Sequence, residues 1–334
     1  MRLPTLAVIA VIILVGLTAL AGAAAWLVLS PAPAVQAGPL IVEIPPLEGV
    51  RRIAARLREA GVIRSEVAFV ALTVVRGSAR HLKAGEYEIP RDASTLDIHD
   101  LLASGRVRRH PVLHREGATI SELARALENE RLARADDVIR AAGDGRLRRA
   151  LDVSGPSLEG YLFPDTYQFV RGMSVDDMLG RMVQRMRAKL TPDLVDRARA
   201  RGLDIHQLLT LASIIEREAV DPSEQRLISA VFWNRLTLDM PLQADPTVQY
   251  AVAKERQALT RADLAADHPY NTYVRRGLPP GPIASPGLGA IAAALDPAPV
   301  KYLYFVARDD RRHHFSTTVA EHNAAVARYR LSRR

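Results

Sequence analysis

The sequence predicts an α+β protein in three parts: a single N-terminal transmembrane helix, a small α+β domain, and a mostly helical domain with short β elements. Three observations carry this. Leu3–Leu29 contains no charged residue. Between 40 and 130, short apolar strands alternate with short capped helices. From about Leu151, long helical patterns alternate with Gly- and Pro-rich turns. At 334 residues, 48% hydrophobic and 25% charged, the chain fits two or three domains and can bury a sizeable core. Wholesale disorder is excluded.

The apolar run LAVIAVIILVGLTALAGAAAWLVL is long enough to cross a hydrocarbon layer of about 30 Å at about 1.5 Å per residue. A cleaved signal peptide carries a shorter apolar region, so the run reads as an uncleaved anchor; Val35–Gln36–Ala37 is the alternative, a cleavage site. Arg2 and the α-amino group precede the run, and the next basic residue after it is Arg51. The positive end stays in the cytoplasm, which places the body of the protein outside the inner membrane. No basic stretch follows the span to mark a lipid contact. The expected division is 1–6 cytoplasmic, 7–29 transmembrane, 30–39 linker, 40–130 small α+β domain, 131–150 helical connector and 151–330 functional domain.

The elements follow in order. Pro31–Gly38 reads as a stiff linker. A strand is expected over Leu40–Ile44, then a helix with Ile53, Leu57 and Ala60 on one face, ending at Gly61. Phe69–Val75 reads as helical, His81–Pro90 as a turn and short strand, and Ser94–Leu102 as a capped helix closed by Gly105. Pro111–His114, a Glu-Gly turn and a helix with Ile120, Leu123, Ala124 and Leu127 repeat the first strand–turn–helix arrangement, which suggests an internal duplication. Units of this kind suit a LysM-like glycan-binding module or a spacer with no ligand. Further on, helices are expected over Met173–Lys189, Pro192–Arg201, Ile205–Ala219, Pro222–Leu236 and Leu288–Leu295, and strands over Tyr302–Ala307 and His313–Ser316.

The formal net charge of +8 invites a nucleic-acid partner. Against this, the arginines are spread along helices, aromatics are only 5%, and the anchor places the basic domain on the wrong side of the membrane. No nucleic-acid binding is expected. With no cysteine, disulfides, thiolate catalysis and Cys-ligated metals are excluded. His313, His314 and His322 lie close in sequence, but no carboxylate stands at a zinc-site spacing, so no metal site is expected. No nucleophile elbow, P-loop or dinucleotide fingerprint occurs.

The most informative stretch is LLTLASIIEREAVDP, Leu208–Pro222. Its helix is apolar nearly all round and should be buried. Pro222 stops it near Asp221, leaving Glu218 in the last turn. Asp221 and Glu224 read as the N-cap and capping-box partner of the next helix. A carboxylate at the negative helix end, among apolar groups, has a raised pKa, as a general acid needs. Glu216 lies about 200° from Glu218 around the helix, so the two are not expected to face one cleft. The alternative makes both ordinary surface glutamates paired with Arg217 or Arg226.

Other constellations accompany it. LEGYLFPDTY carries Glu159 and Asp165. LQADPTV places Gln243, Asp245 and Thr247 in a loop. Tyr270-Asn271-Thr272-Tyr273 precedes GLPPGPI. Amides, hydroxyls and Tyr faces on rigid loops suit sugar hydroxyls and N-acetyl groups. Each is also readable as a turn bonding its own backbone.

The runs LEGYLFPDTY, LASIIEREA, VFWNRL, MPLQADPTVQYA, YNTY…GLPPGPIASPG, YLYFVA and HHFSTT…EHN resemble the endolytic murein transglycosylase (YceG-like) family, over nearly the whole chain. The resemblance implies an inner-membrane enzyme that cuts nascent glycan strands internally. It would break the β-1,4 bond between N-acetylmuramic acid and N-acetylglucosamine, leave a 1,6-anhydro end, terminate strand growth, and act beside penicillin-binding-protein synthases. It implies one catalytic glutamate and no cofactor. The family's Glu-x-Glu pair matches Glu216 and Glu218. Glu218, followed by the small Ala219, takes the catalytic role, with Glu216 in reserve. Gln243, Asp245, Thr247, Tyr270, Asn271 and Tyr273 would line the groove, with Glu159 as a supporting residue or a helix cap. Two other readings remain: a non-catalytic, anchored glycan-binding adaptor for the synthases, and a hydrolase using water with Asp245 as base.

Overall fold

The computed structural model describes residues 5–33, 38–309 and 312–332. Arg2 and Val35–Gln36–Ala37, on which the orientation and cleavage readings rest, lie outside the described residues. The chain divides into two compact units. One takes the residues up to His110 together with Gln168–Met173; the other takes Pro111–Tyr167 and the chain from Ser174. The second strand–helix repeat, from Pro111 onward, therefore groups with the second unit.

The first unit contains α1 (Thr5–Leu29), β1 (Leu40–Ile44), α2 (Val50–Glu59), α3 (Glu66–Val75), β2 (Gly85–Ile89) and α4 (Thr95–Ser104). β1 and β2 pair antiparallel, with Leu40 opposite Ile89 and Ile44 opposite Gly85. Strand alternation turns Val42, Ile44, Tyr87 and Ile89 inward, where they meet Ile53, Leu57, Phe69, Ile98 and Leu102. α4 opens on a capping box between Ser94 and Asp97 and closes on Gly105 in the left-handed region, as its sequence predicts.

α1 is long and apolar enough to cross a membrane, and the protein buries none of its most apolar stretch. Its C-terminal end is held by the rest of the first unit. Thr95 Oγ1 donates to the Leu27 carbonyl (3.1 Å), and Arg64 Nε donates to the Pro31 carbonyl (2.8 Å). The Arg64 guanidinium also sits 4.4 Å above the Trp26 ring.

The rest of the chain supplies β3 (His110–His114), α5 (Ile120–Asn129), α6 (Ala135–Gly143), α7 (Gly145–Ala150), β4 (Asp165–Phe169), α8 (Val175–Lys189), α9 (Pro192–Ala200) and α10 (Ile205–Glu218). A 3₁₀ turn (Pro222–Glu224) leads into α11 (Gln225–Thr237), α12 (Asp245–Ala251), α13 (Arg261–Leu264), α14 (Leu288–Leu295), β5 (Tyr304–Ala307), β6 (His313–Ser316) and α15 (Val319–Ser332). β3 pairs with β4 and β5 with β6, each as a two-stranded sheet. α10 is the central helix. Every residue from Leu208 to Ile215 is buried, as its apolar circumference requires, and α9, α11, α12 and α14 pack around it.

Three local expectations are corrected. Asp245 and Thr247 are not in a loop: they form the first turn of α12, with Pro246 in the opening turn, where proline's fixed φ suits a helix start. Glu224 is not a capping-box partner. It is buried, accepts from the His313 N–H (3.1 Å) and lies 2.7 Å from His313 Nδ1, while Asp221 alone caps Ser223. The stretch LEGYLFPDTY is not wholly turn, since β4 begins at Asp165.

Candidate active site

α10 begins on a reciprocal capping box between Asp204 and Gln207, runs buried to Ile215, and ends at Glu218. Ala219 is already extended, at φ −78° and ψ 101°. The last turn emerges into a polar cleft of about 520 Å³ bordered by Glu116, Glu216, Glu218, Asp245, Gln249 and Arg256. Both glutamates of the Glu-x-Glu pair therefore border the same cleft, against the angular argument made on an indefinite helix. The helix ends at Glu218, so the cleft wraps around its terminus.

The two glutamates differ in what holds them. Glu216 Oε2 accepts the Gly287 N–H at 3.0 Å. Burial raises its pKa, the Gly287 bond opposes the rise, and the nearby Glu116 charge adds to it. A Cβ at Gly287 would meet the Glu116 carboxyl, so a larger residue there would displace that side chain from the cleft wall. Glu218 is half-buried, and its carboxyl makes no hydrogen bond to any described residue. Desolvation pushes its pKa up to about 8; the Asp245 charge adds to the rise, and Arg217 and Arg235 oppose it. Burial therefore favours the protonated form of Glu218 around neutral pH, on the border of the cleft.

The cleft wall is fixed by short-range bonds. Gly117 N–H donates to Ser285 O (2.8 Å), Ser285 N–H returns to Ala118 O (2.9 Å), and Ser285 Oγ lies 2.8 Å from His114 Nε2. Burial pushes the His114 pKa down to about 4, which keeps it neutral. Arg217 Nη1 donates to Gly117 O (3.2 Å), tying the last turn of α10 to the same wall.

Asp245 is exposed on the cleft and accepts the Tyr273 hydroxyl at 2.5 Å. Burial, and then that bond, raise the Tyr273 pKa. Gln243 is exposed, at φ +50°; its N–H donates to Thr272 O (3.0 Å), and its side-chain oxygen accepts from Arg235 (3.3 Å). The other nominated residues lie deeper. Thr247 is fully buried and bonded to Ala244 O and Thr272 Oγ1. Asn271, also fully buried, donates to Leu264 O and Ala266 O and accepts from Tyr273 N–H. Tyr270 packs against Tyr250 and His268, with ring centroids 5.0 and 5.8 Å away. Burial also pushes Glu159 up to about 8, but its carboxyl accepts the Ile120 N–H (3.2 Å to each oxygen) at the start of α5 and does not border the cleft. A raised pKa alone does not separate Glu159 from Glu218; exposure to the cleft does.

Sequence reasoning overlooked Arg235. It lies in the last turn of α11, is 6% exposed, and donates Nε to Leu303 O (2.7 Å) and Nη1 to Leu242 O (2.8 Å) and Pro241 O (3.2 Å). A single Arg in an ordinary helical run carries no signal of this. Glu116, Gln249 and Arg256 were also overlooked; only the fold brings them to the cleft.

A carboxyl of raised pKa on the border of an open, polar groove is the arrangement that acid catalysis on a polar substrate requires. The chain belongs to the YceG-like family, whose model matches residues 42–328. It is 34% identical over 304 residues to the endolytic murein transglycosylase of Bacillus subtilis (strain 168), covering 86% of this chain and 84% of that protein. The endolytic murein transglycosylase of Streptococcus pneumoniae (serotype 2, strain D39) is 30% identical over 320 residues, which is 86% of this chain and 58% of that protein. Among solved structures, a YceG-like protein from Listeria monocytogenes matches with a TM-score of 0.61 at 32% identity, over 86% of this chain and 98% of that one.

Proposed function

We propose that the protein is an endolytic murein transglycosylase with Glu218 as its acid and base. The carrying observation is that Glu218, at the end of a buried helix, borders a polar cleft with no hydrogen bond to a described residue, where burial pushes its pKa up to about 8. The names of the bacillary and pneumococcal relatives support the same activity.

The reaction follows from one carboxyl. Glu218 gives its proton to the glycosidic oxygen between N-acetylmuramic acid C1 and N-acetylglucosamine O4, and the C1–O bond opens through an oxocarbenium-like state. The Glu218 carboxylate then takes the proton of the muramic C6 hydroxyl, whose oxygen closes onto C1. The product is a 1,6-anhydro end. Proton and electron pairs balance with no water consumed, so neither a second carboxylate nor a cofactor is required. Asp245 holds up the Glu218 pKa, and its Oδ1 is engaged by Tyr273, which disfavours its use as the base of a hydrolase. Glu216, engaged by Gly287, shapes the wall. A cleft that presents a proton also argues against a non-catalytic adaptor.

In this reading α1 anchors the protein in the inner membrane, the N-terminus stays in the cytoplasm, and the cleft works in the periplasm on strands made by penicillin-binding-protein synthases. The test is mass spectrometry of purified glycan strands digested by the full-length chain, beside Glu218→Gln and Glu216→Gln. Internal fragments with anhydro ends, lost with Glu218→Gln and kept with Glu216→Gln, are the expected result. Loss only with Glu216→Gln reverses the assignment, and reducing ends make the enzyme a hydrolase.

A further inference from the structure

α3 is apolar on both sides. Phe69 and Thr73 are fully buried on its inner face. On its outer face Val67, Val74 and Val75 are 77%, 66% and 86% exposed, and Val70 and Ala71 complete a shallow groove edged by Arg51 and Glu66. No charged residue occurs from Val67 to Val75. At about 100° per residue, positions 67, 70, 71, 74 and 75 share one continuous arc. A helix that buries one side and exposes an uncharged strip on the other has a partner on the exposed side.

The structure identifies that partner by position. Arg64, immediately before the Ser65 cap of α3, is bonded to Pro31 and stacked on Trp26 at the outer end of α1. Trp and Arg of this kind mark the level at which a span leaves the hydrocarbon. α3 thus starts at that level and packs beside the end of α1.

We propose that the outer face of α3 lies in the boundary layer of the bilayer that holds α1, so that the first unit grips the membrane by an interfacial helix as well as by its span. This rests on reading α1 as a transmembrane anchor, and the test separates the two.

The chain has no cysteine, so single ones can be introduced without background. Val67→Cys and Val74→Cys report on α3, Leu14→Cys on the span, and Arg140→Cys on an exposed position of the second unit. Each full-length variant is labelled with a small fluorophore in phosphatidylethanolamine–phosphatidylglycerol vesicles and quenched by spin-labelled lipid or by aqueous iodide. The expected result is lipid quenching at Val67 and Val74 within about twofold of that at Leu14, with iodide quenching several-fold below that at Arg140. Iodide quenching equal to that at Arg140 overturns the proposal and leaves the anchor standing. Protection from both quenchers that grows with protein density also overturns it, in favour of a second copy on this face. A Leu14 label that escapes the lipid quencher overturns the anchor and the proposal together.

Discussion

At the scale of single residues, Glu218 combines a position, an environment and a missing bond. Its pKa of about 8 predicts that kcat/KM for strand cleavage is flat through neutrality and falls as pH rises through about 8, when the acid loses its proton. Glu218→Gln should lower kcat by about 10²–10⁴ with the fold intact, read by the release of anhydro ends. Asp245→Asn removes a negative charge that raises the Glu218 pKa, so the alkaline limb should move to lower pH; an unmoved limb would show that Asp245 does not act on Glu218. Stability runs the same way. A carboxyl with a raised folded pKa is stabilising in full below its unfolded pKa, and that contribution is lost as pH rises towards about 8. Glu218→Gln escapes the loss. Because the cleft is open to solvent, a gain of about 1 kcal/mol is a discounted figure, corresponding to about 2–4 °C in Tm at pH 8.5 for a domain of this size. No gain should appear near pH 4.

At the scale of elements, the sequence was most legible where one local rule decided the outcome. α14, β1 and β6 have the predicted ends, and the capping signals of α4 gave its limits. α10 was recognisable because apolar residues surround it and Pro222 sets its end. β4 was hidden because Gly160 and Pro164 punctuate its approach, and its pairing to β3 is non-local. α12 was hidden because Asp-Pro opens turns and helices alike. α15 spreads small apolar and polar residues around its circumference without an apolar stripe, so no face announced it. The cleft was half legible: Glu216, Glu218 and Asp245 belong to recognisable runs, while Glu116 and Arg256 reach it only through the fold. Glu159 shows the limit of reading a buried acid as functional. It serves α5, and Glu159→Ala should cost about 1–3 kcal/mol by stranding the Ile120 N–H, read in urea denaturation, whereas Glu159→Gln keeps an acceptor and most of that stability.

At the scale of the whole molecule, the proposed anchor and its orientation carry their own tests. An uncleaved α1 with a cytoplasmic N-terminus predicts that the protein stays in the membrane pellet after alkaline carbonate washing. A C-terminal alkaline phosphatase fusion should be active in cells. An inactive fusion with the protein still in the pellet would reverse the orientation; release by carbonate would remove the anchor. The motifs that carry the resemblance all fall within the matched residues 42–328, on the approach to β4, the α10–α12 corner, the 270–285 loops, the β5–β6 hairpin and the start of α15.

The seating of Arg235 has a consequence for the timing of the reaction. Its guanidinium is fastened to the Leu303, Leu242 and Pro241 carbonyls, so its charge stays put while substrate enters and leaves. Asp245 pushes the Glu218 proton affinity upward, and Arg235, with Arg217, restrains it. A group that surrenders a proton in the first half of a turnover and recovers one in the second gains nothing from a strong preference for either form. With these opposing charges beside it, Glu218 would recover from the C6 hydroxyl, in the proposed reaction, the proton it gave to the glycosidic oxygen, and the enzyme would return to its starting state without drawing on solvent.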